Sequence, residues 1–231
     1  MFDAALHWLG YGLCHQLPAR SFFGGGHQVP VCARDTGIYL GVVVSFALVS
    51  ALSRRLHPAE GPSRGVSAIA LGLLAAMAID GVTSYAGLRA TTNEIRLATG
   101  IGAGFAIGVF LVPLVNAEIW AGASRHRPLE GPWHVVAWIG GMPALYAVVW
   151  WALPLLGALY PLLVALAIVA TFVLVNLVLV GLVLPLERRA VRGTDLLWPS
   201  LAALGLSAVE IAGAAGIRLW VTALAAWLSA R

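Results

Sequence analysis

Lysine is absent, and all fourteen basic residues are arginine. Charge of either sign is scarce: 10% of residues are charged and 60% are hydrophobic, whereas charged residues make up about a quarter of a soluble domain. That deficit excludes a soluble protein and identifies an integral membrane protein. No cluster of arginines forms a basic stripe on a soluble face, so nucleic acid is excluded as a partner. The net charge of +4 becomes a matter of where arginines sit relative to the bilayer. The N-terminus lacks the basic n-region, short apolar core and small-residue cleavage site of a cleaved leader, which predicts insertion through helices of the mature chain.

Residues 3–17 place Leu6, Leu9, Leu13 and Leu17 on one helical side and His7, Tyr11, Cys14 and His15 on another. This predicts an amphipathic helix N-capped by Asp3 and ended by Pro18. Fifteen residues at about 1.5 Å each reach roughly 22 Å, short of the roughly 30 Å hydrocarbon core, so the helix is expected in the interface. Gly24-Gly25-Gly26 and Pro30 then predict a loop. Six spanning helices are expected at about 36–53, 66–86, 97–118, 133–156, 161–184 and 199–228. The fifth is the clearest, because Pro161 to Leu184 carries no charge and is followed by Pro185 and Glu187-Arg188-Arg189. The expected fold is an all-α membrane protein, a single membrane domain over 1–231, with no room between spans for a soluble domain.

Arg54, Arg55 and Arg64 follow the first span, Arg125 and Arg127 the third, and Arg188, Arg189 and Arg192 the fifth. These eight lie on one side, which the positive-inside rule assigns to the cytoplasm. The expected location is the inner (cytoplasmic) membrane, multi-pass, with both termini outside. Arg20, Arg34, Arg89 and Arg96 break the rule on the outer side and are candidates for pairing or ligand binding. Trp120, Trp133 and Trp198 are expected at the inner boundary, and Trp150, Trp151 and Tyr160 at the outer one. Gly100, Gly104 and Gly108, with Gly37 and Gly41, form small-residue stripes that read first as close helix packing, with room for a ligand as the alternative.

Reactive side chains concentrate between Cys14 and Gly41, where 28 residues hold both cysteines, two of six histidines, Arg20, Arg34 and Asp35. A second polar stretch on the same expected side, Asp80 to Gly100, carries Asp80, Arg89, Asn93, Glu94 and Arg96; antiparallel first and second spans bring Asp80 level with Arg34-Asp35, so Asp80 and Arg89 are expected in the same site as that pair. Cys14 and Cys32 read as a structural disulfide, as free thiols, or as ligands of a divalent metal such as zinc together with His15, Asp35 and His27. Adjacent helical residues diverge by about 100°, so Cys14 and His15 can share an ion only where the helix ends. Four arginines face three acids, Asp35, Asp80 and Glu94, and guanidinium forks match phosphate, with Ser21, Thr36, Thr92, Asn93 and Thr99 as further donors. Thr36-Gly37 and Thr99-Gly100 are expected at helix N-termini, where backbone donors collect anions. The alternative is a set of interfacial salt bridges. Glu210 and Arg218 in the last span are either satisfied by a polar neighbour or carbonyl, or line a pocket. His57, His126 and His134 are expected to be solvated loop residues.

The strings CHQLPARSFF from Cys14, PVCARDTGIYLG from Pro30 and GLRATTNEIRLATG from Gly87 resemble the prokaryotic membrane family catalogued as domain of unknown function 2085, over roughly residues 10–110. The resemblance implies a family-like part, 1–118, with the first three spans and the polar motifs, followed by three further spans over 119–231. It implies no activity. It also implies a cysteine where this chain has Asp35, and that departure removes a C-x-x-C pair. A thiol-redox reading is weakened, while an oxygen ligand for a metal remains.

The expected function is an outward-facing polar pocket that binds or processes a phosphate-bearing lipid or isoprenoid, with membrane lipids as partners. An enzyme built this way would use Asp35 and Asp80 as acid/base or metal-binding carboxylates and His15 as proton carrier. Arg34, Arg89 and Arg96 would clamp phosphate, and Arg20, Ser21, Thr36, Asn93, Glu94 and Arg218 would line the site. A transporter or flippase using Glu210 and Arg218, or a non-catalytic subunit of an envelope complex, are the alternatives.

Overall fold

The computed structural model describes residues 1–53, 57–183 and 190–229, so Arg54, Arg55, Arg188 and Arg189 of the charge bias lie outside the described residues. Among the described residues six helical segments are long and apolar enough to cross a membrane. They are α2 (Ala33–Leu52), α3 (Arg64–Tyr85), α4 (Asn93–Ile119), α5 (Pro132–Ala147), α6 (Leu159–Val183) and α7 (Leu197–Ser229). A π turn and a 3-10 turn prolong α5 to Leu156. The protein is a multi-pass membrane protein. Both α2 and α4 begin several residues before the expected spans, because their first turns carry charge that hydropathy rejects while capping accepts. Thr92 caps α4 by accepting the Ile95 N–H at 3.5 Å.

Helix α4 is the centre of the bundle. Leu97, Phe105, Val109 and Val112 are buried around it, and α2 lies against it along the glycine stripes. A Cβ on Gly37 would meet the Leu97 carbonyl oxygen at 2.7 Å, and one on Gly41 the Ile101 carbonyl oxygen at 2.9 Å. Gly100 and Gly104 abut the Arg34 and Ile38 carbonyls as closely. The stripes therefore serve packing, in which small residues let two backbones approach. Ser45 ties three helices together: its Oγ donates to the Phe105 carbonyl at 2.9 Å and accepts from Trp138 Nε1 at 3.0 Å. Outward faces of α3 and α7 expose Leu71, Ile79, Ile217 and Trp220, as lipid contact requires.

Helix α1 covers Phe2–Tyr11 rather than 3–17, and Met1 stands at its N-cap, with Asp3 in the first turn. The chain leaves the helix at Gly12 and turns through a left-handed Gln16 (φ 54°). Pro18 then opens a short 3-10 turn instead of ending the helix. The expected loop is an antiparallel ribbon of β1 (Ser21–Gly24) and β2 (His27–Cys32). Gly25 and Gly26 form its two-residue turn at φ 59° and 83°, a conformation that only glycine adopts cheaply and that matches strand twist. Pro30 is tolerated because each strand of a two-stranded ribbon is an edge. The ribbon turn rests on the α5–α6 corner, where a Cβ on Gly25 would lie 2.9 Å from the Ala158 nitrogen.

Two aromatic expectations change. Tyr160 is fully buried beside Phe22, with ring centroids 6.3 Å apart, whereas Trp133, Trp151 and Trp198 are exposed as a belt requires. His57 is not a free loop residue, since its ring stacks on Trp120 at 4.7 Å. His126 faces Glu130 at 3.3 Å, and the Arg127 N–H bond to Glu130 holds that exposed carboxyl below its ordinary range.

Candidate functional site

The ribbon, the start of α2 and the α3–α4 connection meet at one end of the bundle, around Asp80. This carboxylate is 2% exposed. One of its oxygens is bound by the Arg34 guanidinium, the other by Arg89 and by Thr91 Oγ1 at 2.8 Å. Arg34 reaches it from the first turn of α2, 46 positions away in the chain. Antiparallel spans bring those two ends level, as the sequence pattern suggested. With both oxygens occupied, Asp80 orients arginines and is poorly placed for proton transfer.

Next to this node is a small cleft of about 20 Å³, lined among others by Cys14, His15, Arg20, Cys32, Arg34 and Arg96. A space of that size holds one water or one ion. Arg96 is 8% exposed, and its nearest hydrogen-bond acceptor is the neutral Asn93 Oδ1 at 3.0 Å. Among the described residues neither Arg96 nor Arg20 pairs with a carboxylate. Arg34 keeps a buried Nε without a partner. Three guanidiniums thus converge on a cleft whose one paired acid, Asp80, is already shared with Arg89.

The sulfur side of the cleft is organised by the turn after α1. Gln16 Nε2 donates to the His7 and Pro30 carbonyls at 3.0 and 2.8 Å, and Gln28 Nε2 returns to the Gln16 carbonyl at 3.0 Å. That lock fixes Cys14 against Cys32, whose N–H donates to Cys14 Sγ at 3.3 Å. Cys32 Sγ in turn donates to Asp35 Oδ2 at 3.2 Å. The two cysteines are free thiols. Hydrogen bonding from Cys32 draws the Cys14 thiol below its ordinary range, while that same bond, then burial and the Asp35 charge, push Cys32 well above it.

Several expected site residues sit elsewhere. His27 pairs with Asp3 at 2.6 Å and is not in the sulfur cluster. Ser21 Oγ is committed to the Leu17 carbonyl at 3.1 Å and to Gln28. Thr99 lies well inside α4, donating to the Ile95 carbonyl at 2.8 Å, because α4 starts at Asn93; no helix N-terminus is formed there. Thr36 is fully buried with an unpartnered hydroxyl, and Glu94 is exposed at the start of α4. Glu210 accepts from Asn176 Nδ2 at 2.7 Å. Arg218 binds the Tyr11 carbonyl, donates to the Cys14 carbonyl at 2.6 Å, and lies 4.4 Å over the Tyr11 ring. Both intramembrane charges are thus satisfied within the fold, and Arg218 fastens the end of α1, where orphan carbonyls need donors. Gln16, Gln28 and Thr91 were not singled out from sequence, although Gln16 belongs to the CHQ string.

The family described as predicted membrane protein (DUF2085) matches residues 14–110, a span that contains every lining residue of the cleft and excludes α5–α7. An uncharacterized protein of Methanocaldococcus jannaschii is 41% identical over 108 residues, covering 47% of this chain and 67% of that protein. An uncharacterized protein of Methanothermobacter thermautotrophicus is 39% identical over 97 residues, covering 42% of this chain and 82% of that protein. No solved structure matches the chain.

Proposed function

The chain belongs to the family of predicted membrane proteins called domain of unknown function 2085, and from that premise we propose that it recognises the anionic head of a phosphate-bearing lipid or isoprenoid. The binding site is the mouth of the arginine-lined cleft, whose volume of about 20 Å³ admits a single phosphate oxygen, facing the outer leaflet of the inner membrane. The observation that carries this reading is Arg96, a buried guanidinium without a carboxylate partner among the described residues, beside Arg20 and the free Nε of Arg34. Holding an uncompensated charge in a buried site is costly, and an anionic oxygen in the cleft removes that cost. Guanidinium forks suit phosphate in particular.

The lipid part of the reading rests on an adjoining feature. An apolar cavity of about 610 Å³ opens between α1, α6 and α7, lined by Trp8, Leu9, Val169, Leu204, Ile211 and Leu219 among others. Arg218, on the same stretch of α7 as Ala215 and Leu219 of that lining, donates to the carbonyl of Cys14, which lines the cleft. Transport gains less support. Glu210 and Arg218 are committed to structural partners, and the 330 Å³ cavity at the opposite end is lined by Phe46, His57, Val115, Asn116 and Leu174 among others, with no arginine or carboxylate among its described lining residues.

The test compares ligands that differ only in phosphate. Purified protein in neutral-lipid nanodiscs should retain a polyprenyl phosphate over the matching polyprenol, and phosphatidic acid over diacylglycerol, by native mass spectrometry. Arg96→Gln should weaken retention of the phosphorylated member about tenfold, equivalent to about 1.4 kcal/mol, with the polyprenol unaffected. Equal retention of both members of each pair by the unmodified protein would overturn the reading.

A further inference from the structure

Two thiols and a carboxylate converge on one point beside the cleft. One ligand atom from each of Cys14, Cys32 and Asp35 lies within 4.8 Å of the other two. Two separate parts of the fold bring them there. Cys14 is held by the turn after α1, through the Gln16 lock and through the Arg218 bond to its carbonyl at 2.6 Å. Cys32 ends β2 as the N-cap of α2, and Asp35 follows in the first turn, three positions on and hence on the same helical face.

The spacing suits a small tetrahedral ion. Ligands at about 2.3 Å for sulfur and about 2.0–2.2 Å for oxygen subtend roughly 3.5–3.8 Å from one another in such a site. Cys32 Sγ and Asp35 Oδ2 already stand 3.2 Å apart, and the 4.8 Å bound on the set leaves about 1 Å of closure. The Cys32 N–H directed at Cys14 Sγ at 3.3 Å supplies the outer hydrogen bond that orients metal-bound ligands. Both cysteines and His15 also line the one-ion cleft, so space for a fourth ligand exists where water enters. Charge agrees as well: two thiolates and a carboxylate around a divalent ion leave one negative charge, next to Arg34, Arg96 and Arg20.

We propose that Cys14, Cys32 and Asp35 form a three-ligand site for a divalent ion of the zinc class, with an open fourth position facing the arginine-lined cleft. Soft sulfur ligands with one oxygen select zinc over magnesium or calcium, and three protein ligands with one open position are the arrangement of reactive rather than purely structural zinc. Binding displaces two thiol protons to solvent and replaces the Cys32–Asp35 hydrogen bond with bonds from both groups to the ion. The site stands on its own ligands and is independent of which anion enters the cleft.

Cobalt(II) is the probe. The chain has two cysteines, so a sulfur-to-cobalt charge-transfer band reports this site alone. Purified, chelator-stripped protein should bind about one cobalt with that band, zinc should abolish it by displacement, and Cys14→Ser, Cys32→Ser and Asp35→Ala should each weaken binding about 10–100-fold. Because a variant can lose its fold, the unmodified protein carries a second readout. Alkylation of both cysteines should be blocked with zinc and restored by chelator. A protein that shows no cobalt band and equal alkylation with and without zinc overturns the site, as does a Cys14–Cys32 disulfide trapped by alkylating intact cells.

Discussion

A carboxylate with 2% of its surface exposed stays charged only if its oxygens find donors, and Asp80 finds three, in Arg34, Arg89 and Thr91. The converse dependence is stronger. The Arg34 side chain is 10% exposed and has no other acid within ion-pair distance among the described residues, so removal of the Asp80 charge leaves a buried guanidinium uncompensated. Asp80→Asn keeps one acceptor oxygen for Arg89 and Thr91 and loses the charge together with the oxygen that accepts from Arg34. It is expected to cost about 3–5 kcal/mol, the range for breaking a buried pair by deleting one partner, read as a lower midpoint in detergent unfolding. Arg125→Gln, at an exposed loop position, should stay within about 0.5 kcal/mol. If both variants unfold at the same midpoint, Asp80 does not organise this end of the bundle.

At the scale of elements, the α2–α4 pair is set by glycine. A methyl group on Gly104 would press on the Ile38 carbonyl and lie 2.8 Å from the Gly41 Cα, whereas one on Gly72, on the outer face of α3, meets nothing within 4 Å. Gly104→Ala should therefore destabilise by about 1–3 kcal/mol through overpacking. Gly72→Ala should be neutral or stabilise by up to about 1 kcal/mol, the usual helical preference. Thermal unfolding of the two variants side by side checks the pair; equal shifts would sink the packing account. This stripe was legible in the sequence because a four-residue period on one helical face is a local signal. So were the spans, whose apolar length is fixed by the bilayer, and the convergence of Arg34 with Asp80, which follows once antiparallel spans are counted. The ribbon was not. Its Gly25-Gly26 turn sits in a run of three glycines and Pro30 breaks the strand pattern, so the local signal pointed to a loop, and only docking on the α5–α6 corner overrides it. The Arg218 bond to the Cys14 carbonyl spans 204 positions, and no local pattern encodes such a partner. The same holds for Asn176 and Glu210, where sequence left two outcomes open and packing chose the structural one.

The whole molecule has two unlike ends. An even number of spans puts both termini at one end, together with the ribbon, the α3–α4 connection and the arginine cleft. The opposite end is knitted by its loops: the Ala59 N–H donates to the Ser124 carbonyl, the Ser124 N–H to the His57 carbonyl and the Ala121 N–H to the Ala190 carbonyl, each at 3.0 Å. By sequence the connections expected on that side carry eight arginines, Arg54, Arg55, Arg64, Arg125, Arg127, Arg188, Arg189 and Arg192, against Arg20, Arg34, Arg89, Arg96, Arg218 and Arg231 on the other. The rule that retains basic loops in the cytoplasm counts arginines and largely ignores acids, so pairing of Arg34 and Arg89 with Asp80 does not enter it. That excess predicts both termini outside. A phosphatase reporter fused after Arg231 should be active only when exported, and a fluorescent reporter that matures in the cytoplasm should stay dark at that position. The same reporters inserted after Arg125 should behave oppositely. A fluorescent C-terminus would turn the cleft towards the cytoplasm and remove the outer leaflet as the source of the proposed lipid. The Asp80 node and the sulfur–carboxylate site would survive that result, because both depend on contacts within one end of the bundle and neither depends on which compartment that end faces.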